Sequence, residues 1–169
     1  SIPMLLWHCD QSKLVIAADD GYSHLALAGV QPNLWVGDGD SIQAILPENI
    51  ERLDYPCDKD FSDSHLAVLE AFRRGCRSVA LLCALGGSMH HHMANITLAM
   101  AYPGQVFLFD EDSVTFSRRG GSKLALNNLQ GAKLSLFACE ANTVISASGV
   151  KWKLVNEELV PGSRGLNNI

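Results

Sequence analysis

The chain has 169 residues, with 13 Lys and Arg against 18 Asp and Glu, and a formal net charge of −5. That acidic balance, with no basic run beyond Arg73-Arg74 and Arg118-Arg119, speaks against a nucleic-acid binder, and no apolar stretch approaches the ~20 residues that cross a bilayer. Five cysteines, odd in number and without a CxxC pair, suit reduced thiols in a cytoplasmic protein better than a disulfide framework, and no secretory signal is visible.

In chain order, residues 14–18 form a short continuous apolar run, as expected of a strand buried on both faces. Leu34-Trp35-Val36 is a second such run. From Ser62 onward Leu66, Leu69 and Phe72 recur at helical spacing, and Arg73, Arg74 and Gly75 end the segment. Residues 79–85 read as a third strand, with Cys83 as a small core residue. A helix over 95–101 stops at Pro103-Gly104, and residues 106–109 form a fourth strand. This alternation predicts a mainly parallel sheet with helices on both faces over residues 1–106.

Beyond it the period changes to two. Residues 114–117, 133–137, 143–146 and 150–154 read as short strands separated by Gly120-Gly121, Asn127-Asn128, Gly131 and Gly149. The expectation for residues 107–169 is an all-β sandwich.

Acidic and glycine residues gather where the first-half strands end. Asp19 and Asp20 follow the first strand, Asp38 and Asp40 the second, and Gly86-Gly87 the third. Open α/β sheets bind ligands beyond the carboxyl ends of their strands. Carboxylates so crowded repel one another unless a cation neutralises them, and Mg²⁺ takes one or two carboxylates together with substrate phosphates. The competing reading of Asp38-Gly39-Asp40-Ser41 is a turn that only caps a helix. Ser62 or Asp63 suits a helix N-cap, the same helix start offers free N–H groups to a phosphate, and Lys59 adds positive charge. His90-His91-His92 points in three directions on a helix start, which disfavours one shared transition metal over a solvated or phosphate-facing loop.

In order, these segments resemble the thiamine pyrophosphokinase family. The chain shows Ala18-Asp19-Asp20-Gly21 for the family's Asp-Gly-Gly, and Pro32-Asn33-Leu34-Trp35-Val36-Gly37-Asp38-Gly39-Asp40-Ser41 for Pro-Asp-x-x-x-Gly-Asp-x-Asp-Ser. Lys59-Asp60-Phe61-Ser62-Asp63 stands for Lys-Asp-x-Thr-Asp, and Gly86-Gly87-Ser88-Met89-His90-His91 with Asn95 for Gly-Gly-Arg-x-Asp-His followed by Asn. Gly162-Ser163-Arg164-Gly165-Leu166-Asn167-Asn168 resembles the family's Gly-x-Ser-Asn segment.

The resemblance implies a Mg²⁺-dependent enzyme that transfers pyrophosphate from ATP to the hydroxyl of thiamine, giving thiamine diphosphate and AMP. It implies an α/β catalytic, ATP-binding domain at 1–106 and a thiamine-binding β-sandwich at 107–169. It also implies a homodimer with thiamine between subunits, and further strands before Leu5 and beyond Asn168. By the same resemblance Asp38, Asp40 and Asp63 are the catalytic carboxylates that hold Mg²⁺. Asp19, Lys59, Ser62, Gly86, Gly87, Ser88 and His90 line ATP, and Asn167 and Asn168 contact the acceptor. Ser88 replaces the family's Arg, His90 its Asp, Asp20 its first Gly and Asn167 its Ser. Losing that Arg removes a charge-assisted donor from the phosphate site. Three alternatives therefore stay open: a catalytically impaired nucleotide- or thiamine-binding relative, a pyrophosphokinase acting on another alcohol such as a pterin, and a phosphotransferase with an aspartyl nucleophile in Asp38-Gly39-Asp40.

Overall fold

Leu34, Trp35 and Val36 have no solvent exposure and form the centre of a three-stranded parallel sheet in the computed structural model, which describes residues 1–169 apart from Gln43, Ser163 and Arg164. The sheet runs β1 (Ile16–Ala18), β2 (Leu34–Gly37), β3 (Glu51–Asp54), with Ile16 opposite Leu34 and Leu34 opposite Glu51. Burial on both faces explains why β2 reads as an unbroken apolar run. β3 is Glu-Arg-Leu-Asp and mostly exposed, an edge strand whose charges hide it from a search for apolar runs.

A second sheet orders β4 (Val79–Leu82), β5 (Val106–Phe109) and β6 (Val114–Phe116). β4 and β5 are parallel, whereas β6 returns antiparallel on β5, with Leu108 opposite Thr115. The alternation at 114–117 thus belongs to the edge of this sheet. Antiparallel edge strands read with period two because one face stays in water. Cys83 lies just past β4 with φ +57 and is exposed, so it is a turn residue and not part of the core.

Four helices cover these sheets: α1 (Ile2–Gln11), α2 (Gly21–Leu27), α3 (Asp63–Arg73) and α4 (Met89–Ala101). Leu5 of α1 and Tyr22 and Leu25 of α2 bury against Ala17 and Trp35. α3 serves both sheets, its Leu66 and Ala67 packing on Leu34 and Val36 while Val68 packs on Val106 and Leu108. Fully burying such side chains contributes about 1.5–3 kcal/mol each. Ser62 caps α3 by accepting from the His65 N–H at 3.3 Å, and Gly75, at φ +84, closes its far end. α4 starts at Met89, earlier than periodicity suggested, because Met and His prolong a helix without marking a face.

Arg73-Arg74 is neither a phosphate track nor simply solvated. Glu70, buried at 6% exposure, accepts from both guanidinium groups at 2.6 Å, and Arg74 also bridges to Glu51 of β3 at 2.6 Å. The pair ties the end of α3 to the sheet edge.

The chain divides into two compact units, Ser1–Arg118 and Arg119–Ile169. In the second, β7 (Thr143–Ala147) pairs antiparallel with β8 (Leu154–Leu159), with an irregularity between Ile145 and Ala147. Leu134 bridges Asn168, so of the strand read at 133–137 one bridged residue is present. Among the described residues of this unit, Leu159 and Asn168 are buried and anchor it.

Candidate active site

Each carboxylate of the site is delivered by the end of a different element. Asp19 is the first residue past β1, Asp38 the first past β2, and Asp63 opens α3. Asp19 adopts a left-handed backbone, φ +46, with its N–H donating to the Val36 carbonyl at 2.8 Å. The carbonyl of Asp19 in turn accepts from the indole Nε1–H of Trp35 at 3.1 Å. Gly39, at φ +78, lets the chain fold back so that Asp40 N–H donates to Asp38 Oδ1 at 3.2 Å. Ser41 Oγ donates to Asp40 Oδ1 at 2.8 Å.

Carboxylate oxygens of Asp19, Asp38 and Asp63 lie within 4.8 Å of one another. Asp40 falls in an overlapping group with Asp38 and Cys57, again within 4.8 Å, and sits on the exposed side. Asp38 and Asp63 therefore meet as the motif suggests, joined by Asp19, while Asp40 shares Asp38 but belongs to the second group. Cys57 was legible only as one of five cysteines, because nothing in its spacing points to Asp38.

Lys59 is the counter-charge. Its Nζ donates to Asp38 Oδ2 and stands 3.3 Å from Asp63 Oδ1. The ammonium beside Asp38 holds that carboxyl down at about 2, and Asp38 raises the Lys59 pKa in return. Burial has the opposite effect on the other two carboxyls. Desolvation pushes Asp19 and Asp63 above the ordinary carboxylate range, despite Lys59 beside Asp63. Asp19 Oδ1 is buried and accepts no hydrogen bond, whereas the buried Asp63 Oδ1 has the Lys59 ammonium 3.3 Å away.

The orphaned Asp19 Oδ1, beside carboxylates that share a single ammonium, gives the test of a cation site. A hard divalent ion with Mg–O distances near 2.1 Å holds opposite ligand oxygens about 4.2 Å apart. Three carboxylates with oxygens within 4.8 Å of one another fit such an ion. Lys59 already neutralises part of the same group, which keeps the carboxylates together.

The turn after β4 is built differently. Gly87 takes φ +95, and a side chain at Gly86 or Gly87 would meet nothing within 4 Å, so the backbone there is open to a ligand. Asn95, buried on α4, donates from Nδ2 to the Ala84 carbonyl at 2.8 Å and fixes the turn against the helix. Ser88 is the N-cap of α4, yet its hydroxyl faces His90 Nε2 at 3.1 Å and caps no helix N–H. His90 and His91 are exposed with rings 4.6 Å apart, whereas His92 Nε2 is buried without a partner. No metal-ligating group among the described residues includes a histidine.

In the second unit, Asn167 donates its backbone N–H to Ser135 Oγ at 3.2 Å. The Asn168 side chain is engaged internally, donating to the Trp152 carbonyl at 2.8 Å and accepting from the Trp152 N–H at 2.9 Å. Ser163 and Arg164 of the Gly162–Asn168 motif lie outside the described residues.

Comparison with known proteins places this geometry in context. The model of a family described as thiamin pyrophosphokinase, catalytic domain, matches residues 5–107. A search of curated proteins gives no match. Among solved structures, thiamin pyrophosphokinase from Geobacillus thermodenitrificans is 23% identical, with 90% of this chain and 74% of that one covered and a TM-score of 0.75. Thiamine pyrophosphokinase from Bacillus subtilis is 22% identical, covers 90% and 76%, and gives 0.74. A thiamin pyrophosphokinase family protein from Enterococcus faecalis is 23% identical, covers 90% and 77%, and gives 0.69. At these identities the likeness is one of fold.

Proposed function

Because this chain belongs to the thiamin pyrophosphokinase family, we propose that its three-carboxylate group is the cation site of that reaction, with Asp38 and Asp63 as ligands, Asp19 as a third and Asp40 on the exposed side. The activity is thiamine pyrophosphokinase activity. The thiamine hydroxyl oxygen forms a bond to the β-phosphorus of ATP, the bond from that phosphorus to the α,β-bridging oxygen breaks, and thiamine diphosphate and AMP result.

The observation that carries the site assignment is the convergence of Asp19, Asp38 and Asp63 within 4.8 Å, with the buried Asp19 Oδ1 unpartnered and a single ammonium, Lys59, shared between the other two. Mg²⁺ bound there supplies positive charge to the transferring phosphoryl oxygens. The chain's own residues do the positioning. Lys59 adds charge beside Asp38, and Ser62 holds the start of α3, which carries Asp63. The open backbone at Gly86 and Gly87, with the start of α4 at Ser88 and His90, offers N–H groups to the remaining phosphates. Catalysis here rests on orientation and charge neutralisation more than on covalent chemistry.

Three finer statements belong to the same proposal. The second unit, Arg119–Ile169, forms part of a β-sandwich whose acceptor-side residues include Asn167 and Asn168. The protein is a homodimer. It works in the cytoplasm, in keeping with the absence, among the described residues, of any helix long and apolar enough to cross a membrane.

The test is to incubate the protein with Mg·ATP, with and without thiamine, and to quantify AMP and thiamine diphosphate. Equimolar formation of both, dependent on thiamine and lost in Asp38→Asn, is the expected result. AMP release unaffected by thiamine, or none at all, would overturn the reading.

A further inference from the structure

We infer that Trp35 is a positioning residue for the site: its indole N–H fixes the left-handed backbone of Asp19 and thereby the direction in which the Asp19 carboxylate enters the cation group. This rests on the site assignment made above and adds a residue outside the carboxylate motif.

Trp35 is fully buried at the centre of β2. A buried indole N–H needs an acceptor, and here the acceptor is the main-chain carbonyl of Asp19, 3.1 Å away at the exit of the neighbouring strand. The other backbone polar group of Asp19 is also held by β2, through its N–H to Val36 O at 2.8 Å. With φ +46, Asp19 sits where non-glycine residues are uncommon and persist only when their surroundings over-determine them. The Asp19 carbonyl also accepts from the Tyr22 N–H of α2 at 3.2 Å, so of the three hydrogen bonds that hold this backbone two come from β2, and the Trp35 indole supplies the side-chain one.

The packing is tight enough to transmit position. A Cβ on Gly37 would stand 2.9 Å from Trp35 Cζ2 and 3.2 Å from Asp19 Cα, so the ring edge, the bare Gly37 and the Asp19 backbone are in mutual contact. Arg52 lies over the same ring, its Cζ 5.1 Å from the centroid, but the ring is held by the core in which it is fully buried. Without the indole donor, the left-handed Asp19 keeps only its backbone bonds to Val36 and Tyr22, and the weaker hold loosens the direction in which its carboxylate joins Asp38 and Asp63. Phe or Leu could fill much of the space, but neither carries a hydrogen-bond donor.

Trp35→Phe removes the donor and keeps most of the ring. Binding of Mn²⁺ alone to the full chain, followed by loss of the free-ion paramagnetic resonance signal, should weaken about 10-fold, the scale at which outer partners of metal ligands act. Arg52→Gln, which keeps the indole N–H, should bind Mn²⁺ like the parent protein. In the parent, the Trp35 indole ¹⁵N–¹H resonance, assigned with Trp7→Phe and Trp152→Phe, should exchange slowly with solvent and shift on Mg²⁺ addition. That measurement decides the matter even if Trp35→Phe does not fold. Unchanged Mn²⁺ binding in folded Trp35→Phe, equal weakening in Arg52→Gln, or an indole signal indifferent to Mg²⁺ overturns the role of Trp35 while leaving the cation site standing. A parent protein that binds no Mn²⁺ overturns both.

Discussion

Lys59 Nζ lies 3.3 Å from Asp63 Oδ1, four residues on, while donating to Asp38 from across the strand–helix turn. One ammonium thus serves two carboxylates, and the third, Asp19, has no such partner for its buried Oδ1. Lys59→Met should leave the group without internal positive charge. The cation-free protein should then melt lower than the parent, and Mg²⁺ should raise its melting temperature by more than it raises the parent's. Turnover should fall by about 10², the scale for losing one charge-stabilising donor. Calorimetry with and without Mg²⁺ checks the first part, and an equal Mg²⁺ response in both proteins refutes it.

Ser88 and His90 occupy each other at 3.1 Å in the turn where the family carries Arg and Asp. Ser88→Arg with His90→Asp returns a cation to the phosphate side. An interaction that grows as charge develops raises turnover more than affinity, so kcat should rise by at least about 10-fold with the KM for ATP nearly unchanged. Steady-state kinetics decide it. A double variant no faster than the parent means that another residue already supplies the charge.

Glu70 makes acid stability predictable. Its two arginine partners hold the carboxyl at about 2, below its ordinary value of 4.5. A depressed folded-state value adds stability that is fully present above the unfolded pKa and is lost as pH falls from about 4.5 toward about 2. Glu70→Gln should flatten that part of the stability–pH curve and lower stability near neutrality, where Arg73 and Arg74 lose their shared acceptor. Urea unfolding across that pH window measures both.

Trp152, 53% exposed, stands with exposed Leu166 and Ile169 on the second unit. If this surface is the proposed homodimer contact, sedimentation at micromolar concentration should show a dimer, and Trp152→Glu should shift it toward monomer. A parent protein that sediments as monomer removes the dimer from the proposal.

What could be read beforehand divides along physical lines. β2 and the buried face of α3 were legible because burial on both sides, or on one helical stripe, writes itself as apolar runs and three- or four-residue spacing. β3 was not, since an edge strand of Glu, Arg, Leu and Asp spends its charges on solvent and on Arg74. α1 was missed as a helix because six of its ten residues are exposed and no side-chain cap announces it. In the site, the Asp38 and Asp63 pairing followed from motif order. The entry of Asp19 and Cys57 into carboxylate groups depends on strand exits meeting in space, which linear spacing does not encode.

The contact of Trp35 with Gly37 also restricts the order in which this lineage can change. A methyl at Gly37 collides with the indole at 2.9 Å, so any larger residue there must be preceded by a smaller or differently shaped one at position 35. Taking that first step gives up the only side-chain hydrogen bond to the Asp19 carbonyl among the described contacts. Even afterwards Asp19 Cα, at 3.2 Å, must yield by a few tenths of an ångström. A variant along that route holds Asp19 less firmly, so glycine at 37 and tryptophan at 35 constrain each other sterically and can be exchanged only together.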